Sequence, residues 1–188
     1  MNIILIGYRA SGKTSAGREL ARLLDRPFFD TDRMIFAKTG RTIGEIVEAS
    51  GWQAFRDVEK TVISELSGLD EAVIAAGGGA VMNPDNVSML RAGGRFVWLQ
   101  ADARILALRM SRDRSGALQR PSLTGAGTLA EIEEVLVKRL PVYGAVADVV
   151  VDTAGKDSAG IAAEIAGRLE DGLMDAEKKR KRRRLHVR

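Results

Sequence analysis

The sequence contains no cysteine and only one histidine among its 188 residues. Without cysteine, the chain has no disulfide, no thiol nucleophile and no thiolate metal ligand, which suits a reducing compartment. The histidine, His186, lies in a charged segment close to the C-terminal end. A general base in the body of the protein must therefore be a carboxylate or a lysine.

Long hydrophobic runs are also missing from the sequence. No stretch approaches the roughly 20 apolar residues of a membrane-spanning helix, and the N-terminus lacks the pattern of a secretory signal. We therefore expect a soluble, cytoplasmic protein that acts as a monomer and has no membrane partner. A hydrophobic content of 45% is enough for one sizeable core, so one domain is expected.

Positive charge is concentrated at the C-terminal end. The net charge is +4, yet residues 178–188 alone contain eight Lys or Arg and no acid. The rest of the chain is slightly acidic, with 21 basic and 25 acidic residues. We interpret residues 171–188 as a basic, disordered tail. It could bind the phosphate backbone of a nucleic acid, but it has no aromatic side chain for base stacking.

Strand-like and helix-like segments alternate along the chain, which predicts a parallel sheet covered by helices on both faces. The predicted strands are residues 2–6, 27–30, 72–75, 95–99 and 148–151. The predicted helices begin near residue 13 and then cover residues 32–38, 43–50, 52–66, 84–90, 103–110, 129–140 and 158–169. Residues 111–127 lack apolar periodicity and are predicted to be a lid-like loop.

The most specific functional motif is GYRASGKT, residues 7–14, which matches the phosphate-loop pattern G-x-x-x-x-G-K-[ST]. It lies between a strand-like and a helix-like segment, the context that a nucleoside triphosphate site requires. Lys13 is expected to reach the β- and γ-phosphates, and Thr14 is expected to hold Mg²⁺. The residues expected to bind ATP here are Gly7, Arg9, Ala10, Ser11, Gly12, Lys13, Thr14 and Ser15.

Two carboxylates, Asp30 and Asp32, follow the second predicted strand, at the sheet edge where such folds bind ligands. One could face the Mg²⁺ held by Thr14, and the other could face an acceptor hydroxyl. Asp32 could equally cap the helix that follows it, because Asp is a favoured N-cap residue. The spacing alone leaves both alternatives open.

Arg56 and Glu59 are three residues apart on a predicted helix and so share one face. A surface ion pair is the ordinary explanation for such spacing. Phe55, next to Arg56, favours a position near the buried side of the helix. There a guanidinium could bind an anionic substrate group through two hydrogen bonds.

Three consecutive glycines, Gly77, Gly78 and Gly79, follow the third predicted strand directly. Because such a run costs folding entropy, it indicates close approach of the backbone to a ligand, with a tight turn as the alternative.

Several arginines are candidates for contacts with phosphate or substrate. Arg112, Arg114 and Arg120 lie in or beside the lid-like loop, where they could close over a triphosphate. Each of them taken alone would be interpreted as a solvated side chain. Arg139 lies near the end of a predicted helix, where it is typical of a C-terminal helix charge.

The order and spacing of six short signatures together resemble the shikimate kinase family over residues 2–170. The signatures are GYRASGKT, Asp30-Thr-Asp32, Phe55-Arg-Asp-Val-Glu59, Gly77-Gly-Gly79, Arg120-Pro121 and Arg139-Leu-Pro-Val-Tyr143. The resemblance implies a P-loop NTPase three-layer α/β sandwich, similar to nucleoside monophosphate kinases, with a five-stranded parallel sheet in the order 2-3-1-4-5. It also implies ATP- and Mg²⁺-dependent phosphorylation of the 3-hydroxyl of shikimate, a step toward chorismate and the aromatic amino acids.

The same resemblance assigns roles to the acidic and basic candidates. Asp30 would lie near the metal through water, and Asp32 would bind the shikimate hydroxyls and accept the proton. Arg56 and Arg139 would clamp the substrate carboxylate, and Glu59 would orient Arg56.

Further contacts follow from the resemblance. Gly78 and Gly79 would touch the ring hydroxyls through their backbone, with Phe55 and Gly77 completing the substrate site. Lys13 and Arg120 would join Asp32 in catalysis, Arg120 as the lid arginine at the phosphates. Arg112 would lie beside adenine.

Two departures from the family pattern stand out. Many members carry RPLL where this chain has RPSLT at residues 120–124, and the basic tail beyond residue 170 lies outside the pattern. The rival functions are another small-molecule P-loop kinase, such as gluconate kinase, and a nucleotide-sensing protein associated with nucleic acid. A switch GTPase is disfavoured because the sequence has no N-K-x-D motif for reading guanine.

Overall fold

The chain folds into a parallel sheet that lies between two layers of helices. A computed structural model describes residues 1–112 and 129–185, with side chains described within these ranges up to residue 171. The sheet contains the strands β1 Asn2–Ile6, β2 Phe28–Asp30, β3 Val73–Ala75, β4 Gly94–Gln100 and β5 Val149–Asp152. All described pairings are parallel, in the order β2-β3-β1-β4-β5. The predicted fold class and strand order are confirmed.

Helices connect the strands and cover both faces of the sheet. They are α1 Lys13–Leu23, α2 Thr31–Thr39, α3 Ile43–Ser67, α4 Pro84–Gly93, α5 Ala103–Arg112, α6 Leu129–Val146 and α7 Ser158–Leu185, with a 3₁₀ turn at Ala80–Met82. Within α3, Gly51 has the non-helical angles φ 78° and ψ 172°. This break separates the two helices that the sequence predicts over this region.

Two apolar cores lie on opposite faces of the sheet, because alternate side chains of a strand point to opposite sides. From β1, Ile4 and Ile6 pack against residues of α3 and α4. Ile3 and Leu5 pack against residues of α1 and α7 on the other face. A third cluster joins Tyr8, just after β1, to side chains of α5 and α6. The phosphate loop is therefore anchored to both of these helices.

Two helices, α6 and α7, extend well past their predicted ends. Helix α6 continues through Pro141 to Val146, and its last turns are held by the fully buried Tyr143, whose ring centroid lies 5.7 Å from that of Trp98. Helix α7 continues to Leu185, so the backbone is helical over most of the segment for which disorder is predicted. The physical reason is that Ala, Glu, Lys, Arg and Leu, which dominate this segment, are strong helix formers. The boundary between a domain at residues 1–170 and a tail at residues 171–188 stays a prediction.

Most of the predicted lid lies outside the described residues, and so do Arg114 and Arg120. Only its first two positions are described, at the end of α5. Within the described ranges, no helix combines the length and apolar character needed to cross a bilayer.

Candidate active site

The phosphate loop, residues 7–14, connects β1 to α1. Gly7 has φ 137° and Gly12 has φ 98°, values that residues with a side chain rarely adopt. A Cβ on Gly7 would also lie 2.5 Å from the carbonyl oxygen of Leu99. Because Gly12 directly precedes α1, the N–H groups of the helix N-terminus lie at the loop.

Lys13 and Ser11 give the phosphate loop the character of an anion site. Lys13 Nζ donates hydrogen bonds to the carbonyl oxygens of Gly7 and Tyr8, at 2.8 and 2.7 Å, which holds the ammonium at the loop. Ser11 Oγ is buried and has no hydrogen-bond partner among the described residues. A buried hydroxyl with spare hydrogen-bonding capacity beside a fixed ammonium fits a phosphate ligand.

Asp30 links the phosphate loop to the start of α2. Its Oδ2 accepts a hydrogen bond from Thr14 Oγ1 at 2.7 Å. Its Oδ1 accepts from the backbone N–H groups of Asp32 and Arg33, at 3.1 and 3.3 Å, so Asp30 is the N-cap of α2. The alternative that Asp32 caps this helix is wrong, because α2 begins at Thr31 and Asp32 already lies in its first turn.

The pair of Thr14 and Asp30 fits a nucleotide-bound Mg²⁺. Hydroxyl and carboxylate oxygens are the hard ligands that Mg²⁺ prefers. Among the residues that the structure describes, no group of three or more acidic or histidine side chains could hold a metal. A magnesium ion that arrives with a nucleotide needs only one or two protein ligands, because phosphates and waters supply the others.

A pocket of about 480 Å³, partly open to solvent, lies beside the phosphate loop, and Tyr8 and Arg9 form part of its wall. We call it the central pocket. Every residue that is predicted to bind the substrate lines it: Asp32, Phe55, Arg56, Glu59, Gly77, Gly78, Gly79 and Arg139. The structure thus brings together side chains from α2, α3 and α6 with the loop that follows β3.

Arg56 presents its guanidinium to the central pocket. Its Nη1 donates to Glu59 Oε2 at 2.5 Å, and its Cζ lies 4.9 Å from the ring centroid of Phe55 and 5.8 Å from that of Trp52. The side chain of Arg56 is 30% exposed, whereas that of Glu59 is 1% exposed. Burial raises the pKa of Glu59, and the neighbouring Arg56 offsets part of this effect. Glu59 therefore holds Arg56 from the buried side, which leaves the guanidinium accessible to an anion.

Close approach, rather than an unusual backbone conformation, requires the triple glycine. A Cβ on Gly79 would lie 2.7 Å from Arg56 Nη2, and one on Gly77 would lie 3.2 Å from Asp32 Oδ1. A Cβ on Gly78 would lie 3.3 Å from a carbonyl oxygen of the phosphate loop. The three glycines let the substrate-side residues and the phosphate loop converge on one point.

Arg139 contributes a second guanidinium to the central pocket. Its Nη1 donates to the carbonyl oxygen of Gly78 at 3.0 Å, and the hydroxyl of Tyr143 donates to the same oxygen at 2.5 Å. Burial raises the pKa of Tyr143 to about 12, so this phenol remains a donor. The interpretation of Arg139 as a C-terminal helix charge is wrong, because α6 continues to Val146 and has no basic residue in its last turn.

The predicted nucleotide-side residues beyond the phosphate loop are placed less completely. Ser15 is exposed in the first turn of α1, and Arg112 is exposed at the last residue of α5. The role of Arg112 beside adenine stays a prediction. Arg120 lies outside the described residues.

Sequence reasoning missed two residues that contact the phosphate loop. Arg109, on α5, donates to the carbonyl oxygens of Ala10 and Thr153, at 3.3 and 2.7 Å. Glu131, on α6, is buried and lies 3.5 Å from Arg9. Both partners are distant in sequence, so no local spacing signals them.

Comparisons with known proteins agree with this geometry. The family model described as Shikimate kinase matches residues 9–170. The chain is 43% identical over 177 residues to a shikimate kinase of Syntrophus aciditrophicus, covering 90% of this chain and 91% of that protein. It is 42% identical to a shikimate kinase of Moorella thermoacetica, covering 92% and 96%. Its fold is similar to that of the shikimate kinase from Acinetobacter baumannii in complex with shikimate, with a TM-score of 0.85, 34% identity and coverage of 91% and 93%.

Proposed function

We propose that this chain, which belongs to the shikimate kinase family and phosphorylates shikimate, uses ATP with Mg²⁺ as the donor and holds the acceptor in the central pocket. The products are then shikimate 3-phosphate and ADP. The observation that carries the proposal is the convergence of Asp32, Arg56 and Arg139 in one pocket beside the phosphate loop. Shikimate is a carboxylic acid with several hydroxyl groups, so two guanidiniums and a carboxylate complement it.

On the nucleotide side, this chain's residues bind and orient the phosphates. The N–H groups at the start of α1 and the Lys13 ammonium form the cradle for the β- and γ-phosphates. Thr14 and Asp30 would hold the metal, directly or through water. When bound, Mg²⁺ neutralises phosphate charge and aligns the transferred group.

On the acceptor side, the two guanidiniums clamp the carboxylate of shikimate. Glu59 restricts the orientation of Arg56, so less side-chain entropy is lost when the substrate binds. The backbone of Gly78 and Gly79 is unobstructed by side chains and can approach the ring hydroxyls. Together these contacts place the 3-hydroxyl toward the phosphate loop.

Asp32 is the candidate proton acceptor. It lines the central pocket, and the chain's single histidine, His186, is remote in sequence from every signature of the site. Phosphoryl transfer depends mainly on positioning and charge neutralisation, so a carboxylate within hydrogen-bond reach of the hydroxyl is a sufficient base.

A substrate panel tests this function. Shikimate, gluconate and nucleoside monophosphates are each incubated with ATP, Mg²⁺ and the purified protein, and phosphorylated products are identified by mass spectrometry. We expect shikimate 3-phosphate and no comparable product from the other acceptors. A Lys13→Met variant purified in the same way controls for contaminating host kinases. Turnover of gluconate without turnover of shikimate would overturn the assignment.

A further inference from the structure

Three consecutive residues of the phosphate loop are each bound by helix α5 or α6. Tyr8 packs in the apolar cluster that those helices form, Arg9 pairs with Glu131 on α6, and Ala10 accepts a hydrogen bond from Arg109 on α5. The contacts of Tyr8 and Ala10 anchor the loop through the Tyr8 ring and the Ala10 backbone. The contact between Arg9 and Glu131 is different, because it fixes a charged side chain.

The ion pair between Arg9 and Glu131 is unusually buried. Arg9 Nη2 lies 3.5 Å from Glu131 Oε1, and the side chains are 20% and 2% exposed. Arg9 Nε is buried and has no hydrogen-bond partner within the described part of the chain. Removing two charges from water has a large free-energy cost, and apolar replacements of such pairs are often as stable or more stable. Stability alone is therefore a weak explanation for this pair.

Arg9 lies at the boundary between the nucleotide cradle and the central pocket. It belongs to the phosphate loop, yet it lines the pocket together with Asp32. A Cβ on Gly78 would lie 3.4 Å from the Arg9 backbone nitrogen, so the loop approaches the acceptor side closely here.

The direction of the Arg9 guanidinium is set by two neighbours. Its Cζ lies 6.0 Å from the ring centroid of Tyr8, and Cζ of Arg139 lies 5.7 Å from the same ring. The Tyr8 ring thus contacts both cations. Glu131 supplies the negative charge that holds the Arg9 guanidinium near α6.

We propose that Glu131 is a positioning residue, which holds the Arg9 guanidinium where the phosphoryl group passes from the phosphate loop to the central pocket. The charge on Arg9 then stabilises the negative charge that spreads over the transferred group. This inference rests on the proposed function, since it requires phosphoryl transfer at this boundary. In this proposal Glu131 acts through Arg9 and does not itself bind a substrate.

Four variants of the full chain test the proposal: Glu131→Gln, Arg9→Met, the double variant R9M/E131Q and the control Glu134→Gln. Glu134 lies on the same helix, where it pairs with Lys138 in an exposed position. For each variant, kcat, the KM values for shikimate and nucleotide, and the melting temperature are measured.

Loss of positioning is expected to appear in kcat. Glu131→Gln should lower kcat by roughly 10- to 100-fold, the scale for misplacing a catalytic contact by about 1 Å, with smaller changes in both KM values. Glu134→Gln should behave like the wild type. Arg9→Met should lower the melting temperature as well as kcat, because it leaves the Glu131 carboxylate without this partner.

The double variant separates positioning from structural support. Because R9M/E131Q replaces the ion pair by neutral groups of similar size, it should regain the melting temperature but keep the low kcat of Arg9→Met. Recovery of both quantities would overturn the proposal, since the pair would then be structural only. A kcat of Glu131→Gln within twofold of wild type would also overturn it. The proposal also fails if Glu131→Gln lowers kcat by the same factor in the Arg9→Met background as it does in the wild type. Glu131 would then act independently of Arg9.

The acceptor that the wild-type protein phosphorylates distinguishes failure of this inference from failure of the proposed function. If it phosphorylates another acceptor and not shikimate, the proposed function fails. The same four variants, assayed with that acceptor, then still decide whether Glu131 positions Arg9.

Discussion

Replacing Gly79 by alanine is expected to displace the Arg56 guanidinium while leaving the backbone in place. The angles of Gly79, φ −108° and ψ −1°, are accessible to alanine. The added Cβ would lie 2.7 Å from Arg56 Nη2 and 3.1 Å from Nη1, roughly 0.7 Å and 0.3 Å short of ordinary contact. The obstructing atoms belong to the tip of a flexible side chain, so the guanidinium will move before the backbone does.

The magnitude follows from the hydrogen bonds that Arg56 is proposed to donate. A hydrogen bond to a charged group contributes about 1.5–3 kcal/mol, so its loss should lower kcat/KM for shikimate by about 10- to 150-fold. Stability should change little, because Gly→Ala at a compatible position stabilises by about 0.4–1 kcal/mol through the unfolded state, which offsets the local repulsion.

Steady-state kinetics with varied shikimate and a thermal melt of the same preparation measure both effects. Gly68→Ala is the matched control, since a Cβ there would lie 3.7 Å from its nearest contact, in an exposed position. A folded Gly79→Ala variant with kcat/KM for shikimate within twofold of wild type would show that Arg56 does not bind the substrate as proposed. A change confined to the KM for nucleotide would also show that the substitution does not act on shikimate binding.

Three further outcomes are expected. Asp32→Asn should lower kcat by about 10²-fold, the scale for losing a positioned base. The nucleotide Kd measured by titration should stay near the wild-type value. Turnover at the wild-type rate would show that Asp32 is not the base. Because burial raises the pKa of Glu59, its carboxylate should lose its charge at a higher pH than an ordinary glutamate as the solution is acidified. The pH profile of kcat/KM for shikimate should therefore fall on the acid side above that ordinary pKa, and Glu59→Gln should abolish this inflection; an unchanged inflection in the variant would assign it to another group. Removal of residues 171–188 should preserve kinase activity and abolish any salt-sensitive binding to nucleic acid, and loss of kinase activity would show that the tail supports the fold or the site.

Much of the fold could be predicted because its signals are local. Apolar strands, the phosphate-loop motif and the break at Gly51 all follow from residues that are neighbours in the sequence. The end of α7 was less predictable, since a run of like charges suggests disorder while the same residues have high helix propensity. In α6, Pro141 suggests a helix end, but burial of Tyr143 carries the helix past it.

The candidate site was predictable where its residues lie close together in the sequence. The phosphate loop and the pair of Arg56 and Glu59 are examples, because each depends on positions a few residues apart. Spacing could not decide whether Asp32 caps the helix or faces a ligand, since aspartate suits both roles and the choice depends on where α2 begins. Glu131 and Arg109 could not be found at all, because tertiary packing alone brings them to the phosphate loop.

A crystal structure with shikimate and a non-hydrolysable ATP analogue would test whether one pocket presents the acceptor to the phosphate loop. We expect the shikimate carboxylate on Arg56 and Arg139, and the 3-hydroxyl within about 2.6–3.2 Å of an Asp32 oxygen, facing the terminal phosphate. Shikimate bound with its carboxylate away from both arginines, or with its 3-hydroxyl out of reach of Asp32, would show that the pocket does not hold the acceptor as proposed.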